Sequence, residues 1–174
     1  MSIANGHDFS AQSRVPIQIL EEARDAVQTI HIAPTTITTG SIDGHVRVYD
    51  LRKGELRSDF LGREFSACSF LLSSLALTLI SRTPYTDPVT ALVPTQDGQT
   101  LLVTTLDSHI RLMDLGTGKM LNCFAGHYNS AYRCRACLGH AEASVVCGDE
   151  NGLVWAWDLL DVGFFVLRLL VHSR

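Results

Sequence analysis

One pattern recurs three times in the chain, as Gly40-Ser-Ile-Asp-Gly-His-Val-Arg-Val-Tyr-Asp50, as Thr104-Thr-Leu-Asp-Ser-His-Ile-Arg-Leu-Met-Asp114 and as Gly148-Asp-Glu-Asn-Gly-Leu-Val-Trp-Ala-Trp-Asp158. Each copy contains Asp or Asn followed by a small residue, then alternating side chains, and then an aromatic residue or Met before a final Asp. The first Asp or Asn lies seven residues before the final Asp in every copy. Such self-similarity indicates a protein built from structural repeats.

Each copy predicts a β-hairpin. The turns Asp43-Gly44, Asp107-Ser108 and Asn151-Gly152 contain residues that tolerate the positive φ of a tight hairpin turn. A β-rich run precedes each turn, and a run with a period of two follows it. A second turn such as Gly116-Thr-Gly-Lys119 then leads to a further short strand such as Met120–Phe124. About four strands per copy predict the blade of a β-propeller, and hence an all-β fold.

Composition excludes several classes of protein. The 174 residues are 46% hydrophobic and 18% charged, which favours a packed chain over a disordered one. The net charge of −4 provides no basic footprint, so we expect no direct binding of nucleic acid. The longest apolar stretch, Phe65–Ile80, is interrupted by serines and is shorter than the ~20 residues of a membrane-spanning helix. Five cysteines, an odd number, and an N-terminus unlike a signal peptide predict reduced thiols and an intracellular protein, located in the cytoplasm or the nucleus.

The repeated pattern resembles that of WD-repeat proteins. The resemblance is carried by the Asp-x5-aromatic-Asp ending and by the Gly126-His127 pair, which lies 31 residues before Asp158. It implies antiparallel four-stranded blades, of which the chain would contain about three out of about seven. Signature positions of this family match Asp50, Asp114, His127, Asn151, Trp157 and Asp158.

A narrower resemblance is to the mitogen-activated protein kinase organizer family. It is carried by Pro16–Val27, Gly40–Leu56 and Leu106–Asp114, and it covers most of Arg14–Gly62 and Asp87–Leu160. It implies a non-enzymatic scaffold that gathers kinases of the mitogen-activated cascade. The alternative that it implies is a component of the pre-mRNA splicing machinery. A third alternative is a fragment of a longer propeller protein without a function of its own.

The copies also define the domain organisation. We place WD repeats at residues 21–62, 87–125 and 126–161. Residues 1–20 are interpreted as the remnant of a preceding blade, and residues 162–174 as a tail outside the family pattern. Because three blades do not close a ring, the isolated chain is expected to be poorly stable or oligomeric.

The first interval between repeats is longer than the second. Asp50 and Asp114 are 64 residues apart, whereas Asp114 and Asp158 are 44 apart, and a blade takes ~40–45 residues. Removing the 24 residues Arg63–Thr86, which include neither Lys nor Asp, restores the period. We hypothesise that this segment is translated intron sequence. The alternative is a genuine surface insertion, such as a membrane-docking loop, and sequencing the transcript distinguishes the two.

The copies depart from the family pattern at several positions. No Gly-His pair precedes the first hairpin, and Met113 replaces the aromatic residue of the second. In the third, we interpret Cys147 as occupying the position of the usual Ser or Thr, and Asn151 that of the usual Asp. The family's hydrogen-bond chain of His, Ser, Asp and Trp is therefore expected to be partial. Trp157 is expected to contribute mainly by packing.

Two motifs invite a ligand-binding interpretation that their surroundings do not support. Cys134 and Cys137, followed by His140, resemble half of a zinc site, but no second pair of ligands has suitable spacing. Gly116-Thr-Gly-Lys119 lacks both the earlier Gly and the following Ser or Thr of a phosphate loop. We therefore predict neither a metal nor a cofactor.

A catalytic interpretation is equally weak. His127, Ser144 and Asp149 supply the three residue types of a hydrolase triad, but no strand–turn–helix elbow presents a nucleophile. We therefore predict no catalytic residues and no enzyme. Trp155 shares a strand face with Trp157 and is expected to pack, with partner binding as the alternative.

A propeller presents loops on a rigid frame, so partner proteins are expected to bind the loops at one end of the blades. The partners implied by the resemblance are kinase-cascade or spliceosomal proteins, and the sequence does not choose between them. The predicted partner-binding residues are Arg24, Asp25, Asp43, Asp107, His127, Tyr128, Asn129 and Glu150.

Overall fold

The structure, a computed structural model, describes residues 18–61, 87–160 and 164–168. Twelve strands in these residues form three four-stranded sheets. The first sheet comprises β1 (Val27–Ile32), β2 (Thr36–Ser41), β3 (His45–Asp50) and β4 (Glu55–Leu61). The second comprises β5 (Val89–Pro94), β6 (Thr100–Thr105), β7 (His109–Asp114) and β8 (Met120–Ala125). The third comprises β9 (Cys137–Leu138), β10 (Ser144–Gly148), β11 (Leu153–Asp158) and β12 (Phe164–Arg168), with a 3-10 turn at His140–Glu142 before β10.

Every sheet is antiparallel, and its strands lie side by side in chain order. The all-β fold and the four-stranded blades predicted from the sequence are confirmed. The hairpin turns have the positive φ that their residues predict, 78° at Gly44, 61° at Ser108 and 76° at Gly152. Equivalent registers, such as Gly40 opposite Val46 and Gly148 opposite Val154, make the hairpins directly comparable.

The core lies between neighbouring sheets. Because side chains alternate along a strand, Leu101 of β6 packs with the buried residues that face the first sheet, and Leu102 packs with those that face the third. The first and second sheets approach closely at Gly40, where an added Cβ would lie 2.5 Å from a methyl group of Val89. A larger residue at position 40 would therefore push these two sheets apart.

The C-terminal tail contributes a strand that the sequence did not suggest. Phe164–Arg168 forms β12, which pairs with β11 and completes the third sheet. The remnant-blade interpretation of the N-terminus concerns mostly residues before Gln18, and the intron hypothesis concerns Arg63–Thr86. Both segments lie outside the described residues, so these interpretations stay predictions.

The cysteines differ in state. Cys134, Cys137 and Cys147 are free thiols. Cys123 is disulfide-bonded, so the expectation of reduced thiols is wrong for this residue. No group of three or more His, Cys, Asp or Glu side chains in the described part of the chain is arranged to hold a metal ion. The same part contains no helix long and apolar enough to cross a membrane.

Candidate protein-interaction site

Loops from all three sheets meet at one end of the molecule. The backbone N–H of Arg24 donates to a carboxylate oxygen of Asp43 at 3.0 Å, which joins the segment before β1 to the β2–β3 turn. In the third sheet, the N–H of Glu150 donates to the carbonyl of Tyr128 at 3.0 Å. Each first strand is thus preceded by a segment bonded to the central hairpin turn of its own sheet. We call this end, residues 24–26, 42–44, 106–108, 126–132 and 149–152, the loop end.

The loop end is continuous between the second and third sheets. The backbone N–H and the hydroxyl of Ser108 both donate to the carbonyl of Asn129 at 3.1 Å. The N–H of Asn129 donates back to the Ser108 hydroxyl at 2.9 Å, and the Asn129 side chain is fully buried. These reciprocal bonds hold the loop between β8 and β9 against the turn between β6 and β7.

A buried ion pair supports the first hairpin. Arg47, only 1% exposed, donates to Asp43 at 2.9 Å and to the hydroxyl of Ser41 at 2.9 Å. Although burial alone raises the pKa of Asp43, the hydrogen bonds from Arg47 and Ser41 hold it well below its usual range. Asp43 is therefore ionised at neutral pH and ties the loop end to the sheet below it.

The second hairpin repeats this arrangement. Arg111 donates to Thr105 at 2.6 Å and to Asp107, and the Thr105 hydroxyl also donates to Asp107. Burial raises the pKa of Asp107, but hydrogen bonds from His109 and Arg111 outweigh it and hold the pKa well below its usual range. The hydrogen bond between His109 and Asp107 also raises the pKa of His109. Sequence reasoning noticed these arginines only as members of an alternating strand.

The third hairpin replaces the ion pair with an indole. The registers place Asp149 at the position of Ser41, and Trp155 at the position of Arg47. Trp155 Nε1 donates to a carboxylate oxygen of Asp149 at 3.0 Å. The same registers place Cys147 at the position of Thr39, so the interpretation of Cys147 as the residue at the usual Ser or Thr position stays a prediction.

The two tryptophans and His127 form one aromatic stack. The Trp155 and Trp157 rings are 5.9 Å apart and within 15° of parallel, and the edge of His127 meets Trp157 at 5.5 Å. Trp157 is 4% exposed and donates its Nε1 hydrogen to the carbonyl of Ala125 at 3.2 Å. Gly126 lies so close to Trp155 that an added Cβ would come within 3.0 Å of the ring. The Gly126-His127 pair therefore allows the loop to pack closely against Trp155 and Trp157.

His127 is buried without a hydrogen-bond partner among the residues that the structure describes. This holds for both of its ring nitrogens, and the residue is 2% exposed. Burial lowers the pKa of His127, and the nearby His109 lowers it further, so the ring is neutral at neutral pH. Ser144 and Asp149, the other residues of the hypothetical triad, lie at opposite ends of β10.

Glu150 organises the exposed part of the loop end. Its carboxylate accepts the backbone N–H groups of Ser130 at 2.7 Å, Ala131 at 2.6 Å and Tyr132 at 2.9 Å. These bonds, chiefly those from Tyr132 and Ala131, lower the pKa of Glu150. One ionised side chain thus fixes the backbone of the loop that precedes β9.

Two tyrosines project from this fixed loop. Tyr128 is 51% exposed and Tyr132 is 72% exposed, and the Tyr128 hydroxyl accepts a hydrogen bond from Ser130 at 2.9 Å. Among the predicted partner-binding residues, Arg24 and Asp25 are exposed as well. Tyr132 was missed by sequence reasoning, although an aromatic residue in a polar, non-repeating segment was a usable signal.

The other predicted residues make contacts within the loop end. Asp43 and Asp107 bind buried arginines, and His127 and Asn129 are themselves buried. Glu150 uses its carboxylate to hold the loop. Their direct contact with a partner stays a prediction, and Tyr128 and Tyr132 offer the larger exposed aromatic surface.

Comparison with known proteins agrees with this architecture. The family described as WD domain, G-beta repeat, matches residues 14–50. WD repeat domain-containing protein 83 of Rattus norvegicus is 35% identical over 159 residues, which cover 91% of the chain and 42% of that protein. The protein of the same name in Homo sapiens is 37% identical over 158 residues, with the same two shares. An uncharacterized WD repeat-containing protein of Schizosaccharomyces pombe is 35% identical over 144 residues, 83% of the chain and 40% of that protein.

A solved structure supports the fold alone. The computationally designed Ika4 protein superposes with a TM-score of 0.59 at 20% identity, covering 84% of this chain and 74% of that one. The repeats, the sheets and the relatives together show that the chain is a WD40-repeat protein. Over 91% of its length it is homologous to WD repeat domain-containing protein 83, and it spans about 42% of the length of those curated relatives.

Proposed function

We propose that the chain is a non-enzymatic scaffold that binds a partner protein through the loop end. The observation that carries the proposal is the pair of exposed tyrosines on a loop whose backbone is held by Glu150. Tyrosine supplies a large apolar contact with a polar tip and has few rotatable bonds, which is why it is enriched at binding hot spots. A loop that is already ordered loses little conformational entropy on binding.

The finer proposal concerns the partner. We propose a kinase of the mitogen-activated cascade, acting in the cytoplasm, because the sequence resembles the mitogen-activated protein kinase organizer family. The structure adds a surface suited to protein contact. A spliceosomal partner in the nucleus is the competing outcome of the experiment below.

The test is affinity purification with matched variants. The 174-residue chain is expressed with an affinity tag in cells, and the proteins that co-purify are quantified by mass spectrometry. Tyr132→Ser and Tyr128→Ser each remove an exposed aromatic ring from the loop. Leu121→Ser removes an exposed apolar side chain of similar accessibility, 55%, from β8 and serves as the control.

The proposal expects at least one protein to be retained by the parent and by Leu121→Ser, and to be lost about tenfold or more from a tyrosine variant. Kinases in that set support the finer proposal, whereas spliceosomal proteins overturn it and leave the scaffold function in place. If no protein depends on either tyrosine, the loop end is not the binding surface.

A further inference from the structure

A cavity of about 330 Å3 lies between the first strands of the first two sheets and the loop that precedes the third sheet. Its wall is built from β1, from β5 and from the segment that leads into β9. β1 and β5 are the terminal strands of their sheets, and their outer edges pair with no other strand in the described part of the chain. The wall does not include Tyr128 or Tyr132, but Arg133 and Arg135 belong to the same loop as these tyrosines. The inference below does not depend on the function proposed above.

The wall of the cavity is positively charged in an otherwise acidic chain. The sequence has 18 Asp and Glu against 14 Lys and Arg. Among the described residues, the wall of the cavity nevertheless contains Arg133, Arg135 and His31 and no carboxylate. Positive charge that lines a concave surface concentrates the field there and attracts anions.

Arg133 and Arg135 are both exposed. Neither Arg133 nor Arg135 forms a hydrogen bond or an ion pair with a residue that the structure describes. This contrasts with Arg47 and Arg111, which are held by aspartates at the hairpin turns. The guanidinium donors of the cavity are therefore available to a ligand.

Further polar groups surround the same space. The Thr29 hydroxyl and the imidazole of His31 each provide one hydrogen that an anion can accept. The donor set exceeds what a carboxylate needs, since one arginine fork already occupies both of its oxygens.

We propose that this cavity binds a phosphate monoester. A phosphate monoester carries about −1.5 to −2 charges and three acceptor oxygens, so it can engage both arginines and the neighbouring donors together. The volume is at the lower end of small-molecule sites and leaves room for the esterified group beside the phosphate. The ester can belong to the phosphorylated side chain of a peptide or to a small phosphorylated molecule.

The test is isothermal titration calorimetry on the full chain. The probes are O-phosphoserine, serine, and two short peptides that differ only in phosphorylation of one serine. The positive charges are removed singly and together by Arg133→Gln and Arg135→Gln. The charge is kept, but the two-pronged hydrogen bonding of the guanidinium group is lost, in Arg133→Lys and Arg135→Lys. Arg52→Gln, at an exposed arginine of the β3–β4 turn, is the matched control.

At least one phosphorylated probe is expected to bind, and serine is not. Each Gln variant should weaken binding about tenfold or more, each Lys variant less, and Arg52→Gln less than about twofold. Binding of free O-phosphoserine as tight as that of the phosphopeptide indicates a small-molecule ligand, and binding of the phosphopeptide alone indicates a peptide. Both outcomes support the proposal. Failure of every phosphorylated probe, retention of binding in the double Gln variant, or an equal loss in Arg52→Gln overturns it.

Discussion

At the scale of single residues, the three hairpins have different side chains at one equivalent strand position, and each of these side chains carries a polar group. A side chain that leaves the strand towards the turn must satisfy its polar group away from water. In the first two sheets this side chain is the arginine of an ion pair, Arg47 or Arg111. In the third sheet Trp155 takes the same position and donates a single hydrogen bond to Asp149. Each hairpin therefore has a carboxylate at its turn. The three hairpins should differ in how strongly their stability depends on pH.

Replacement of Asp107 by Asn should destabilise the protein by about 3 kcal/mol at neutral pH, because the buried Arg111 loses its counter-charge. The folded-state pKa of Asp107 lies below its usual value of 3.8, so its contribution is complete above that pH and is lost as the pH falls further. The difference between parent and variant should therefore shrink below about pH 4. Urea unfolding at several pH values measures it, with the exposed Asp25→Asn as the control.

Trp157 and His127 should differ in their importance for stability. Truncation of the buried Trp157 to Ala should lower the free energy of unfolding by about 3–5 kcal/mol, as for other large aromatic residues. His127→Ala should lower it by about 1–2 kcal/mol, because the ring loses its contact with Trp157 but no hydrogen bond. His127→Phe, which keeps a ring and removes two unpaired nitrogens, should be close to neutral.

Chemical denaturation followed by circular dichroism compares these three variants. If His127→Ala proves more damaging than Trp157→Ala, the histidine has a hydrogen-bonding role in solution and the expected order is wrong.

At the scale of elements, the connection between β8 and β9 is held by a neighbouring turn. It runs over residues 126–136 and has no strand pairing of its own. Glu150, which lies in the β10–β11 turn, accepts three consecutive backbone N–H groups of this loop. Successive amides that converge on one carboxylate form a local anion site, here occupied by the chain itself. The backbone of residues 130–132 is therefore held by one side chain from a distant part of the sequence.

Glu150→Ala should loosen this loop while leaving the sheets intact. The amides of Ser130, Ala131 and Tyr132 should exchange with solvent about tenfold faster, because each loses its acceptor. Hydrogen exchange followed by NMR measures the effect. Glu142→Ala is the matched control, since Glu142 accepts only the N–H of Gln96, and its removal should leave the loop unchanged.

At the scale of the whole molecule, stability comes from contacts between neighbouring sheets. The apolar clusters lie between the first and second sheets and between the second and third. Repeat proteins gain most of their stability from such interfaces, so a sheet without a neighbour on one side leaves apolar surface in water. On β1, Ile30 is 62% exposed and Ile32 is 68% exposed. This face is suited to association with another apolar surface.

The isolated chain should therefore self-associate through β1. Replacement of Ile30 and Ile32 together by Thr keeps the preference for a strand and removes the apolar surface, and should shift the chain towards the monomer. Multi-angle light scattering measures the mass. Leu160→Thr, at a residue that is 88% exposed away from β1, should leave the mass unchanged. A parent chain that is a monomer with a sharp, cooperative melt would contradict the prediction.

Local sequence patterns specify the repeats, the hairpins and the all-β class, because turn residues and a period of two are local properties of the chain. The pairing of polar groups, in contrast, depends on tertiary packing. Arg47 reaches Asp43 within its own hairpin, but Ser108 meets Asn129 across two sheets. The sequence predicted a partial hydrogen-bond chain at His127, whereas in the described part of the structure its ring contacts Trp157 without a hydrogen bond. The cavity beside Arg133 likewise depends on how two strands and a loop, distant in sequence, come together, and no local pattern encodes that arrangement.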